Sequence, residues 1–144
     1  AIDGGADILS MINTYLGMSI DVQTWRPRIG IGSGGVSGPG IRPMAVHLVH
    51  KVYREVSRSA GVPIIGMGGV QNWRDAVEMM LAGASAVGVG TALFIDPTTP
   101  QRIVADLRKY LAGRGLSSVR ALIGAVLPSA ASTATSPPVG PDSG

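Results

Sequence analysis

The chain has 144 residues and a mass of 14.7 kDa, with 45% hydrophobic, 15% charged and 4% aromatic residues, the proportions of one ordinary globular domain and not of a disordered chain. A spanning helix needs about 18 or more consecutive apolar residues, and glycine, polar or charged residues interrupt every apolar run sooner, so a soluble domain with no membrane partner is expected. The net charge of +3 is spread along the chain; its one tight group, Lys51, Arg54 and Arg58, has helical spacing and reads as a solvated face, which argues against a nucleic-acid partner.

Ala1 to Asp7 lack an initiator methionine and a signal-peptide layout, so the chain is expected to begin mid-domain. Residues 5–14 (GADILSMINT) read as a buried strand with Asn13 and Thr14 at its carboxyl tip. Residues 15–42 are loop-rich, with a short strand expected around Arg28–Ile31. The run Gly34-Gly35-Val36-Ser37-Gly38-Pro39-Gly40 follows, dense enough in glycine for backbone to approach a ligand closely. Pro43 suits the first turn of a helix whose apolar stripe is Ala45, Leu48/Val49, Val52 and Val56, ending at Gly61.

Val62–Met67 is a short apolar strand, followed by Gly68-Gly69 and a helix from about Asn72 to Ala82 that Gly83 ends. Ala84–Val89 is a second such strand, closed by Gly90-Thr91. A helix from about Pro100 to Ala112 carries the stripe Ile103, Val104, Leu107, Tyr110 and Leu111, and a last helical stretch is expected over 117–126. Residues 127–144, rich in Pro, Ser and Thr, are expected to be a disordered tail.

GVPIIGMGGV (61–70) and ASAVGVGTAL (84–93) repeat one unit at a spacing of 23 residues, an apolar strand ending in a turn of small residues. Alternating strands and helices imply parallel strands with crossovers, an α/β fold that is either an open sheet or part of a (β/α)₈ barrel. A barrel needs about 250 residues, so as a barrel this chain would be the second half.

Strand ends that lead into helices gather unpaired backbone N–H groups and form anion sites. One glycine pair merely permits a tight turn. Two in tandem, Gly68-Gly69 and Gly90-Thr91, match the phosphate cradle that barrels build after their last two strands. Asn13 offers a donor and an acceptor at a strand tip, the pattern that grips an imide or carboxylate. His47 and His50 lack a third ligand nearby, so no metal site is expected. Trp25 and Trp73 read as packing residues, and Asp75 as an acid favoured by the helix dipole. With no cysteine in the sequence, a thiol nucleophile and disulfides are excluded within it.

Taken together, INTYLGMSID (12–21), GGVSGPGIRP (34–43), PIIGMGGV (63–70) and AGASAVGVGTALFIDP (82–97) resemble the dihydroorotate dehydrogenase family, best its NAD-linked class 1B catalytic subunits, over residues 1–126. The resemblance implies the C-terminal half of a TIM barrel that binds FMN and oxidises dihydroorotate to orotate in pyrimidine biosynthesis. It places Ile12 beside the flavin, Asn13 and Thr14 on the substrate ring, Gly38 against FMN, and Gly68, Gly69, Gly90 and Thr91 around its phosphate. The family's base cysteine and flavin-supporting lysine would precede residue 1, so this segment alone is expected to carry no catalytic residue and to be inactive. Half a barrel should also leave sheet edges and apolar surface exposed.

Further implications of the resemblance are an electron-transfer subunit carrying FAD and a 2Fe-2S cluster, a catalytic-subunit homodimer and a cytoplasmic location. The flavin module of dihydropyrimidine dehydrogenase shares the glycine loop and glycine-pair turn and is the alternative, disfavoured because it tends to carry cysteine at the position of Gly90. A non-catalytic half-barrel is the remaining one.

Overall fold

In the computed structural model, which describes residues 1–126, a 3₁₀ turn over Ile2–Gly4 leads to strand β1 (Leu9–Met11). An antiparallel pair follows, β2 (Tyr15–Gly17) against β5 (Gly34–Val36), and the loop between them holds a smaller pair, β3 (Ile20–Asp21) against β4 (Arg26–Pro27). Helix α1 (Arg42–Val52) runs through a π-helical turn, Tyr53–Ser57, into α2 (Arg58–Ala60). Then come β6 (Ile64–Met67), α3 (Trp73–Ala82), β7 (Ala86–Gly88), a 3₁₀ turn over Thr91–Phe94, α4 (Thr99–Gly113) and a 3₁₀ turn over Val119–Leu122. The tail expected over 127–144 lies outside the described residues.

The main sheet has the order β1-β6-β7 with all pairs parallel. Parallel neighbours need a crossover, which α1–α2 provide from β1 to β6 and α3 from β6 to β7. The α/β class read from the sequence therefore stands. Ala45 and Val49 of α1, Met79 of α3 and Ile64 of β6 are fully buried in one core. Gly66 lets α3 settle onto β6: a Cβ there would lie 2.8 Å from the Ala84 Cβ and 3.0 Å from the Met79 sulfur. The outer strands β1 and β7 each have one neighbour in this sheet, and Leu16, Ile31 and Phe94 stand exposed.

Four details differ from the sequence reading. Arg28–Ile31 is a turn and not a strand, whereas part of the glycine run is strand β5; strands of two or three residues, half of them glycine or polar, are too short for alternation to register. Val56 is 44% exposed while Ser57 is 2% exposed. The π turn inserts an extra residue into the helical repeat and rotates the stripe by one position, and the buried Ser57 hydroxyl donates to the Val62 carbonyl. Trp25 is 87% exposed with φ 59°, so it packs on nothing; it closes the β3–β4 turn by donating its N–H to the Asp21 carbonyl at 2.8 Å. Over 117–126 the chain makes only the one 3₁₀ turn, which ends at Leu122 because Ile123 is extended at ψ 112°, and Gly124 at φ 69° keeps the chain off the helical path.

Candidate active site

Register sets the site. Met11 lies opposite Gly66 and Met67 opposite Gly88, so the carboxyl ends of three parallel strands finish side by side, the place where α/β sheets bind ligands. The Ile12 N–H donates to the Met67 carbonyl at 3.1 Å and carries the β1 tip across to β6. The Met11–Ile12 peptide is cis.

A cavity of about 220 Å³ opens there. Ile12, Thr14, Gly38, Gly68, Gly69, Gly90 and Thr91 all line it, so the structure gathers segments separated by up to 79 positions in the chain (91 − 12). Asn13 is not among the lining residues. It is exposed, and its Oδ1 accepts the Thr14 N–H at 2.7 Å, which turns that acceptor onto its own loop.

The glycines serve conformation and, at Gly68 and Gly69, space as well, since a Cβ would lie 2.8 Å from the Ala45 Cβ and from the Gly38 carbonyl oxygen respectively. Gly38, Gly68 and Gly69 have φ of +89°, +129° and +73°, in the region where side chains are strained. Among the described residues, the backbone N–H groups of Gly68, Gly69, Gly90 and Thr91 have no protein acceptor. Gly68 and Gly69 are partly buried, where N–H groups without partners are costly, while Gly90 and Thr91 are exposed; free donors beside a cavity at strand ends form a site for an anion. The residues present thus fit a phosphate group.

Ser37 was not singled out by the sequence. Its hydroxyl accepts from Thr91 Oγ1 at 2.9 Å and it lines the same cavity, which joins the glycine loop to the turn after β7. The one signal available was a hydroxyl inside a run of glycines.

Behind the Gly68-Gly69 turn, Asn72 caps α3 by accepting the N–H groups of Arg74 and Asp75 at 2.9 and 3.3 Å. Asp75 does more than favour the dipole. Its Oδ2 accepts the N–H groups of Gln71 and Asn72 at 2.9 and 3.2 Å, and its Oδ1 meets the Arg42 guanidinium at 2.7 Å. Trp73 packs on Tyr110 with ring centroids 5.0 Å apart. His47 and His50 line a different feature, an open groove of about 820 Å³ between α1 and α3. Lys51, Arg54 and Arg58 are exposed, as a solvated face requires.

Away from the cavity, two carboxyls titrate below the ordinary aspartate range. Asp96 is held down by the Thr98 hydroxyl and N–H and by Arg102, and Asp21 by the N–H groups of Thr24 and Gln23.

The profile of the dihydroorotate dehydrogenase family matches residues 1–111. The chain belongs to the dihydroorotate dehydrogenase family. It is 50% identical over 124 residues to the protein named dihydroorotate dehydrogenase B (NAD(+)), catalytic subunit, of Geobacter sp. (strain M21), which covers 86% of this chain and 39% of that one. It is 52% identical over 120 residues to the subunit of the same name from Bacillus pumilus, covering 83% and 37%. Among solved structures, an Eimeria tenella DHODH in complex with ferulenol superposes with a TM-score of 0.69 at 29% identity, over 86% of this chain and 32% of that one.

The chain therefore spans about two fifths of the length of these curated relatives. Its fold is that of the family's enzymes, and the relatives are oxidoreductases by name. No helix among the described residues is long and apolar enough to cross a membrane.

Proposed function

We propose that residues 1–126 are the C-terminal half of an FMN-binding TIM barrel, and that within a complete enzyme they serve the oxidation of dihydroorotate to orotate. The observation that carries this reading is the convergence of the two small-residue turns on one cavity, with their N–H groups unpaired.

In this reading Gly68, Gly69, Gly90 and Thr91 hold the FMN phosphate through backbone N–H groups, and the Thr91 and Ser37 hydroxyls close one side of it. Gly38 brings backbone close to the cofactor without a side chain, and Ile12 packs beside it. When bound, FMN supplies the hydride acceptor for the reaction. Thr14 at the cavity and its exposed chain neighbour Asn13 orient the substrate ring, which lowers the barrier by fixing geometry. No cysteine occurs in this sequence, and Lys109 is tied to Asp106 at 2.8 Å on α4. The proton-abstracting base and a flavin-supporting lysine are accordingly assigned to the rest of the enzyme, and this segment by itself is assigned no turnover.

The names of the relatives favour orotate chemistry over the reduction of free pyrimidines. They also favour NAD as terminal acceptor and a separate electron-transfer subunit, to which this reading assigns FAD and a 2Fe-2S cluster. A homodimer of catalytic subunits in the cytoplasm completes the proposal. The test is to purify the complete protein that contains this segment, record its visible spectrum and assay dihydroorotate oxidation. Flavin bands together with orotate formation are expected. A colourless protein that folds, or one that reduces uracil or thymine in place of oxidising dihydroorotate, would refute the reading.

A further inference from the structure

Arg42 stands where an isolated helix would not want it. It is the first residue of α1, and a cation in the first turn opposes the helix dipole. Its guanidinium instead turns to α3, with Nη1 on Asp75 Oδ1 at 2.7 Å and Nε on Glu78 Oε2 at 3.0 Å. Asp75 is the buried partner, its side chain 6% exposed, and its other oxygen holds Gln71 and Asn72, the last residues of the loop that begins at Gly68.

The same seam is tight on its cavity side. A Cβ on Gly69 would lie 2.8 Å from the Gly38 carbonyl oxygen and 2.8 Å from the Arg42 Cβ. The two glycine loops thus abut at Gly38 and Gly69, and the Arg42–Asp75 ion pair spans the joint immediately behind them. Arg42 does not line the cavity.

We infer that Arg42 and Asp75 form a positioning pair for the phosphate cradle, locking the loop after β6 to the loop before α1 so that the Gly68 and Gly69 N–H groups keep one spacing to the anion. The inference rests on the FMN reading above. Physically, a guanidinium holds two carboxylates in a rigid fork. Removing it leaves one oxygen of a buried carboxylate unpaired, and the loop that this carboxylate anchors relaxes. The pair's effect should therefore fall on the phosphate and not on the isoalloxazine ring.

The experiment compares FMN with riboflavin, which lacks the phosphate, as ligands of the complete apoenzyme, by fluorescence titration of wild type and Arg42→Gln. The expected result is a loss of FMN affinity of about tenfold or more, the scale on which a hydrogen bond to a charged group counts, with riboflavin affinity unchanged within about twofold. Equal losses for both flavins, or no loss for either, would overturn the positioning role. If Arg42→Gln does not fold, Arg42→Lys is titrated instead. An ammonium cannot reproduce the fork, so a smaller loss confined to FMN is expected and the same two results refute the inference. A wild-type apoenzyme that binds riboflavin as well as FMN would show the separate failure of the phosphate reading itself.

Discussion

The Gly38 carbonyl oxygen lies 2.8 Å from the point where a Cβ on Gly69 would stand. These residues are 31 positions apart (69 − 38) and belong to different loops, and a side chain at 69 would force the loops apart. At Gly38 the demand is conformational instead: φ is +89°, and a Cβ there would meet nothing within 4 Å.

Gly69→Asp tests that contact. With φ at +73° and no room for a methyl group, the variant must distort the turn, and its carboxylate would face the proposed phosphate. Two unit charges about 4 Å apart near a protein surface repel by on the order of 4 kcal/mol. In the complete enzyme the expected outcome is loss of FMN on purification, read from the visible spectrum, with the apoenzyme still folded by circular dichroism. Full FMN content would place the phosphate elsewhere.

Asn13→Ala should separate cofactor from substrate. Because Asn13 is exposed and does not line the cavity, its removal should leave FMN occupancy intact while lowering kcat/KM for dihydroorotate by about tenfold or more, the signature of lost orientation. Parallel decline of flavin content and turnover would make Asn13 a structural residue of the β1 tip.

Asn72→Ala removes the cap of α3. Two helix N–H groups lose their acceptor, and a cap of this kind is worth about 1 kcal/mol. A lower unfolding midpoint in urea, with an unchanged m-value, is the expected result. An unchanged midpoint would mean that water replaces the cap without loss.

Asp96 gives a pH dependence with a definite sign. Its carboxyl titrates below the ordinary value of 3.8 because the Thr98 hydroxyl, then the Thr98 N–H and Arg102, favour its charged form. A depressed folded-state value stabilises the protein above the unfolded value, and the contribution is lost as pH falls through the folded one. Asp96→Asn should therefore lower the thermal midpoint at pH 7, and the difference from wild type should shrink below about pH 4. A difference that persists unchanged at pH 3 would assign the effect to packing.

What the sequence determined by itself was local. Apolar runs at Val62–Met67 and Ala84–Val89 each contain an observed parallel strand, β6 and β7, because parallel strands read as continuous apolar runs, though only the central strand β6 has buried residues. Gly61 and Gly83 end their helices at φ 68° and 127°, and Gly68-Gly69 follow β6 at φ 129° and 73°, because backbone conformations that demand glycine are written in the residue itself; Gly90, at φ −113°, follows β7 without that demand. The tertiary structure alone decided what meets. Ser37 joins Thr91 across 54 positions, Arg42 finds Asp75 and Glu78 on another helix, and Asn13 stays out of the cavity that its neighbours Ile12 and Thr14 enter. The glycine run paired as β5 with β2 for the same reason: a glycine-rich strand carries almost no side-chain pattern to specify its register, and ion pairs between distant segments form only where packing brings those segments together.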